Sequence, residues 1–290
     1  MEDVCPANTA GTERQLVTTF LIIGGTGKVG SRLADLLRGR NHAVRIASRS
    51  GGDVRFDWHD PHSYGPALAG VDGVFIVGPG SATDWSDDLT RLLGVAAGQG
   101  VTHAVFLSAR GVEFLPDGAV DRAEKAVTSG PVPWTIIRPT HFAQNFTEAM
   151  FVPVDDIIVA PVADGAEPFV DVDDIAAVAA EVLVTDTWRG EIIELSGPEA
   201  LTFDQAAAIL SVYAGRVLVF EDESADDHVR RLRAATTPEG YIAWRMAMLG
   251  GIRRGVDAYL SDGVQRVLGR PAAAFADWAA REATALAATA

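Results

Sequence analysis

Two periods of apolar and polar residues share this chain, and the first change from one to the other is abrupt. Val17 to Ile23 is a β-branched apolar run. It ends in glycines, and Ser31-Arg-Leu-Ala-Asp-Leu-Leu-Arg38 follows at helical spacing. His42 to Ser48 and Val54 to Trp58 read as the next strands, and Pro61 to Leu68 as a short helix. Val71 to Val77 is a fourth strand. Asp84 to Gln99 carries Trp85, Leu89, Leu92, Leu93 and Ala96 on one helical face. Thr102 to Ser108 is a fifth strand, Val120 to Gly130 a helix closed by glycine, and Pro133 to Arg138 a sixth strand. A helix opens at Asp171 and runs to about Val184, capped by Asp173 or Asp174. Gly190 to Ser196 is the last core strand. Strands alternating with helices predict a parallel sheet, so the fold class is α/β: Rossmann-like, doubly wound and mainly parallel.

From Leu201 onward helical patterns dominate: Thr202 to Ala214, Ser224 to Ala235, Pro238 to Leu249 and Pro271 to Ala287. The chain therefore divides into a leader (1–15), a nucleotide-binding domain (16–200) and an integrated, mainly helical substrate lobe (201–290). Tyr241, Trp244, Met246 and Met248 read first as core packing and second as the lining of a substrate pocket.

The glycine turn is the first chemical signal. Gly24, Gly27 and Gly30 sit at GxxGxxG spacing between a strand and a helix. Such a turn lets backbone N–H groups approach a pyrophosphate at a helix N-terminus. Gly24 permits the turn, Gly27 the close approach, and Gly30 the packing of helix on strand; Thr26, Lys28 and Val29 complete the cradle. The second strand ends in Ser48-Arg49-Ser50, where an acid would bond a ribose 2′-hydroxyl. A guanidinium flanked by hydroxyls suits a 2′-phosphate, which favours NADP(H) over NAD(H). Asp57 and Trp58 fall either near the adenine or at an ordinary strand end. Val77-Gly78-Pro79 leaves room for a nicotinamide ribose, and Pro139 leaves the sixth strand at the carboxyl edge where ligands sit.

The 290 residues carry a formal net charge of −15. That argues against nucleic acid as a partner. It is compatible with a cationic small-molecule substrate, though a solvated acidic surface is the simpler reading. The single cysteine, Cys5, builds neither a disulfide framework nor a metal site, and the six histidines show no HxxxH or HExxH spacing, so no metal is expected. Residues 1–15 lack a signal-peptide pattern. No segment is long enough to span a membrane, and the default is a soluble cytoplasmic protein with no membrane partner. The oligomeric state is not readable.

With these elements placed, the chain resembles an NmrA-like atypical short-chain dehydrogenase/reductase. The matching stretches are Gly24-Gly-Thr-Gly-Lys-Val-Gly30, Ala47-Ser-Arg49, Trp134-Thr-Ile-Ile-Arg-Pro139 with Asn145 and Phe146, and Phe169-Val-Asp-Val-Asp-Asp-Ile175. Within that group it looks most like the ergot-alkaloid festuclavine-synthase-like branch, through Ser48-Arg-Ser50, Val54-Arg-Phe-Asp-Trp58 and Gly263-Val-Gln-Arg-Val-Leu-Gly-Arg-Pro-Ala-Ala-Ala-Phe275. The resemblance implies a Ser, Tyr and Lys set for carbonyl reduction. Ser108 fills the serine place. The YxxxK place reads Asp121-Arg-Ala-Glu-Lys125, with aspartate where the phenol would be. Tyrosine acts there as general acid, and an aspartate near neutral pH is ionised.

Two readings follow. In one, an NADPH-dependent reductase of secondary metabolism adds hydride to an iminium, quinone or conjugated electrophile. Asp121 stabilises a cation, Lys125 orients the nicotinamide ribose, and His141 is a proton donor, a substrate contact or a plain loop residue. The resemblance puts Phe142 at the nicotinamide end. In the other, the protein is a non-catalytic NADP(H) sensor; a non-redox use of the cleft, such as cyclisation, stays open beside both.

Overall fold

In the computed structural model, which describes residues 18–288, β1 (Thr19–Ile23) enters the glycine turn and α1 (Lys28–Gly39) leaves it. The leader and Cys5 lie outside the described residues. β2 (Ala43–Ser48) and β3 (Val54–Arg55) follow, then α2 (Tyr64–Leu68), β4 (Gly73–Val77), α3 (Ser86–Gly98) and β5 (His103–Leu107). α4 (Ala119–Thr128), β6 (Trp134–Pro139), α5 (Asn145–Glu148), β7 (Ile157–Ala160) and β8 (Ala166–Glu167) come next. α6 (Val172–Val184) and β9 (Ile192–Leu195) complete the main sheet. Its order is β3-β2-β1-β4-β5-β6-β9, every pair parallel. The Rossmann-like, doubly wound reading holds.

Period-two alternation in β1 sorts its side chains between two layers. Leu21 and Ile23 join Leu89, Leu92 and Leu93 of α3 and Val127 of α4 on one face. Phe20 and Ile22 join Leu33 and Leu37 of α1 and Ile175, Ala179 and Val182 of α6 on the other. Both faces are buried, as a parallel sheet requires. The third expected strand is shorter than read, because the chain turns at once: Asp60 N–H donates to the Asp57 carbonyl at 3.0 Å. The α6 cap is Asp171, whose carboxylate accepts the Asp173 N–H, so neither Asp173 nor Asp174 caps it. Asp173 pairs with Arg32 at 2.7 Å, and buried Asp174 accepts the Ala273 N–H and pairs with Arg270.

Beyond the sheet lie β10 (Leu201–Thr202), α7 (Phe203–Ala214), β11 (Val219–Asp222), α8 (Ala225–Ala234), α9 (Glu239–Arg253), α10 (Gly263–Leu268), α11 (Phe275–Arg281) and α12 (Ala283–Ala288). Thr202 caps α7 in a reciprocal box with Gln205. The expected Pro271–Ala287 helix is two helices, and the Pro238 helix runs on to Arg253. The sequence reading missed β7, β8, β10 and β11. They form two ribbons, β7 with β11 and β8 with β10, whose partners are far apart in the chain. A third core joins Phe146, Phe151 and Phe169 to Phe203 and Phe275, with Phe151 and Phe203 ring centroids 4.9 Å apart. This core does not follow the division at residue 200, since it draws on 143–169 as well as 201–286. α10 in turn packs back on the sheet layer through Val264.

The tightest backbone approach is at the first turn. A Cβ on Gly30 would stand 2.3 Å from the Gly24 carbonyl oxygen and 2.8 Å from the Gly25 Cα. Both neighbours are backbone and cannot step aside without moving β1 from α1. Gly30→Ala is therefore expected to lower stability by about 1–3 kcal/mol, as overpacking does, measured as a fall in the thermal midpoint. An unchanged midpoint would show that the helix shifts freely.

Candidate functional site

Four adjoining cavities run across the carboxyl ends of β1, β2, β4, β5 and β6 and share walls. The first, about 320 Å³, is lined by Gly24, Thr26, Ser48, Arg49, Asp57 and Trp58, among others, and reaches Val77, Gly78 and Pro79. The second, about 190 Å³, lies over the turn, between Gly27, Lys28, Val29 and Gly30 on one side and Leu107 and Phe142 on the other. The third, about 360 Å³, spans Gly78, Trp85, Ser108, Val120, Phe142, Tyr241 and Trp244. The fourth, about 200 Å³, is the innermost chamber, walled by Arg110, Pro139, His141, Met150, Trp244 and Met248. Gly24 and Val77 join the first to the second; Val77, Leu107 and Phe142 join the second to the third; Ser108, Phe142 and Trp244 join the third to the fourth. One cleft results, at the switch point where strand order reverses.

The turn itself fits a pyrophosphate. Gly24 has φ +82°, and Gly27 N–H donates to the Gly24 carbonyl at 3.0 Å. Gly27 caps α1 with no side chain, and the first turn of α1 holds no acid. The positive end of the helix is thus open to an anion. Lys28 stands beside it, 3.8 Å from Glu148, and burial holds its ammonium below the ordinary value.

At the β2 end, exposed Arg49 lines the cleft and makes no ion pair among the described residues. The nearest acid in the chain, Asp53, is turned away: it accepts the Ile46 N–H at 2.8 Å and lies 3.6 Å from Arg38. The Ser48 hydroxyl donates to the Ser50 carbonyl at 2.5 Å, which orders the loop, and Ser50 does not line the cavity. Asp57 lines it while accepting the His59 N–H. Trp58 is mostly buried against Phe56 and Trp85, so it forms a wall and not a free stacking ring.

Further along, the structure separates residues that the resemblance grouped. Asp121 and Lys125 pair with each other on the outer face of α4, at 2.8 Å, and line none of the four cavities. The Lys125 side chain is 62% exposed and also pairs with Asp117. Partial burial pushes the Asp121 carboxyl up, but hydrogen bonds from Lys125 and the Asp117 N–H outweigh it and hold it below the usual range. The buried stripe of α4 is Ala123, Glu124 and Val127, and the α4 residue in the cleft is Val120. Asp121 and Lys125, expected as catalytic and ribose-orienting residues, thus face away from the cleft, and the inward pair of α4 is Val120 and Glu124. Ser108 does line the cleft, but its hydroxyl donates to buried Glu124, which Arg138 also holds through both carboxylate oxygens.

His141 joins the cleft to a buried cluster of carboxyl groups. The strand-like exit of β6 is pinned by Val170 N–H to His141 O and Ala143 N–H to Val170 O. That brings His141 onto Glu167 of β8, whose Oε1 lies 3.0 Å from both the backbone nitrogen and Nδ1 of His141. Glu167 is wholly buried, and its Oε2 has no hydrogen-bond partner among the described residues. Asp257, from the segment after α9, completes the group: one ligand atom each of His141, Glu167 and Asp257 lies within 4.8 Å of the others. Arg110 Nε donates to Asp257 at 2.7 Å, with both side chains at most 2% exposed, and its Nη1 donates to the Tyr259 carbonyl. Burial, and then the nearby Glu167 charge, push the Asp257 carboxyl up to about 7; Arg110 and His141 pull the other way. The sequence reading missed Arg110, Glu167 and Asp257, because no local motif links positions this far apart. It reads no metal motif either, yet this donor set is of a kind that takes a cation, and the Arg110 guanidinium already occupies one of its carboxylates.

Comparison with known proteins places the chain. A family model described as NAD(P)H-binding matches residues 24–186. A reductase of Streptomyces griseus, named for (4-alkanoyl-5-oxo-2,5-dihydrofuran-3-yl)methyl phosphate, is 34% identical over 92% of this chain and 99% of its own. Festuclavine dehydrogenase easG of Aspergillus fumigatus is 30% identical over 91% of this chain and 97% of its own. Among solved structures, the negative transcriptional regulator NmrA in complex with NADP superposes with a TM-score of 0.72 at 18% identity, covering 92% of this chain and 95% of that one, and shares its fold. The chain belongs to the NAD(P)H-binding family, as an NmrA-like atypical short-chain dehydrogenase/reductase among oxidoreductases. Among the described residues no helix is long and apolar enough to cross a membrane.

The raised Asp257 carboxyl has a consequence for stability. Folded, it keeps its proton to about 7; unfolded, an aspartate loses it near ~4. The folded state binds the extra proton between those values, so this contribution is fully present below about 4 and is lost as pH rises through about 7. From pH 5 to pH 8 the thermal midpoint of the wild type is expected to fall relative to that of Asp257→Asn. A wild-type midpoint that stays level with or rises against the variant's would place the proton elsewhere.

Proposed function

We propose that this family member is an NADPH-dependent reductase that delivers hydride to a small conjugated or cationic electrophile held between the β5 and β6 ends and α9. One observation carries the reading: the cleft is continuous from the unpaired Arg49 to the chamber under Trp244. The cofactor, when bound, supplies a hydride from its nicotinamide. Gly24, Gly27 and the N-terminus of α1 hold its pyrophosphate, in a cradle that side chains would fill. Arg49 takes the 2′-phosphate, with no competing carboxylate in the cavity wall near it but Asp57. Val77, Gly78 and Pro79 make room for the second ribose, and Ser108, Pro139 and Phe142 wall the nicotinamide end. Residues 16–200 then carry the cofactor, while 201–290, joined by the 143–169 stretch, close over the substrate.

The inner chamber is apolar on one side, through Phe142, Met150, Trp244 and Met248, which suits a flat apolar molecule and keeps water from the reacting carbon. In the adjoining third cavity α4 offers Val120 where the resemblance implies a phenol, and the phenol that lines this cavity is Tyr241 of α9. Simple ketones lose the α4 acid; iminium ions, quinones and conjugated carbonyls depend on it less. The names of the two relatives, a reductase for an oxo-dihydrofuran and a festuclavine dehydrogenase, support such electrophiles and a place in secondary metabolism. The missing α4 phenol also favours a second reading, an NADP(H) sensor without turnover.

Two measurements test this. Arg49→Ala should weaken NADPH binding by about ten-fold or more, as loss of a charge-assisted bond does, and change NADH binding by less than about twofold; equal loss would remove the 2′-phosphate role. NADPH oxidation by an iminium, a quinone or a conjugated enone would exclude the sensor, and tight binding without oxidation of any of them would exclude the reductase.

A further inference from the structure

Four charged or titratable groups meet beneath the inner chamber, and hydride transfer does not account for them. His141 comes from the exit of β6, Glu167 from β8, Arg110 from the loop after β5, and Asp257 from the segment after α9. Tyr259 packs its ring 4.1 Å from the Arg110 guanidinium carbon, and its hydroxyl donates to Glu194 of β9, one step behind. Glu167 accepts both the backbone N–H and Nδ1 of His141. This fixes the ring with its Nδ1 proton toward Glu167 and leaves Nε2 as the nitrogen for the chamber that His141 lines.

The charges balance only with a proton. Two carboxylates face one guanidinium, and the imidazole makes up the difference when it is protonated. Away from water an uncompensated charge is costly. The partnerless Oε2 of Glu167, wholly buried, is an acceptor placed to receive one more hydrogen. Asp257, its carboxyl raised to about 7 by burial and by the Glu167 charge, is the other place in the group where that one proton can sit.

We propose that His141, Glu167 and Asp257 form a proton-delivery unit, and that the chamber accordingly serves a quinone or conjugated carbonyl, whose oxygen must be protonated, in preference to a preformed iminium. The proposal rests on the reductase reading. In the step, hydride forms the new C–H bond, and the displaced π electrons move onto the carbonyl oxygen. The Nε2–H bond of the imidazolium breaks as the O–H bond forms. The imidazole keeps its Nδ1–H bond to Glu167, and solvent in the cleft returns the proton to Nε2. An iminium takes hydride and becomes a neutral amine with no proton transfer. His141 is the catalytic residue here; Glu167 and Asp257 are positioning residues.

The test follows NADPH oxidation by a 1,4-naphthoquinone and by a 3,4-dihydroisoquinolinium ion, from pH 5.5 to 9, in light and heavy water. The unit predicts that quinone turnover by the wild type falls toward alkaline pH as the group loses its proton, with a normal solvent isotope effect, while iminium turnover shows neither. His141→Gln and Glu167→Gln should each lower the quinone-to-iminium ratio by about ten-fold or more, since a general acid contributes about 10²–10⁴, and Glu167→Gln should also move the alkaline limb. Added imidazole should restore part of the quinone rate of the His141 variant. A flat quinone profile in the wild type without a solvent isotope effect overturns the unit and needs no variant to fold. So does a ratio unchanged in both variants; either result leaves the reductase standing. No oxidation of NADPH by either probe overturns the reductase reading, and this proposal with it.

Discussion

The Gly24 carbonyl oxygen stands where any side chain on residue 30 would begin. That single steric fact lets α1 lie directly against the end of β1. It aims the helix N-terminus, capped by Gly27 with no acid in its first turn, at the line where β1 and β4 part. Because β1 has β2 on one side and β4 on the other, α1, which leads from β1 to β2, and α3, which leads from β4 to β5, fall on opposite faces, and a crevice opens between. The four joined cavities occupy that crevice. Move α1 outward by one methyl group and the anion site, the floor of the cleft and the α1–α6 layer shift together.

A second constraint is electrostatic and fixes the far wall. The Arg110–Asp257 pair is shut from solvent, so breaking it leaves an uncompensated charge. It ties the segment after α9 to the loop after β5, and so sets α9, with Trp244 and Met248, over the chamber. The net charge of −15 is therefore a poor guide to the cleft. Its walls carry Lys28, Arg49 and Arg110, which suit a phosphate-rich ligand although the molecule as a whole is acidic.

How legible each part was depends on the length scale of the signal. The glycine turn, Arg49 and the six strands through β6 are local: alternation and turn chemistry show them within ten residues, and they stand where expected apart from the shortened third strand. The α4 register was not, since Val120 and Asp121 both fit a helical period, and only the Ser108–Glu124–Arg138 contact shows that 120 and 124 face in. The small strands were invisible for the same reason: β8 and β10 are two residues each and exist only as partners. His141 was readable as a candidate, but Glu167 and Asp257 carry no local signal. Nothing within a window around either reports that the other will lie beside it.

The displaced register changes how the two halves of a reduction are divided. With a phenol on α4, hydride and proton would reach the substrate from neighbouring points near Ser108, and a simple ketone would be served. Here α4 offers Val120 and a carboxylate locked to Arg138, so α4 itself supplies no proton. A cluster of titratable groups stands instead at the other end of the chamber, on β6, β8 and the segment after α9. A conjugated electrophile matches such a separation, because its accepting oxygen lies two or more bonds from the carbon that takes hydride. The spacing of hydride and proton sites, and not the cofactor cradle shared with other members of the family, is what would select the substrate.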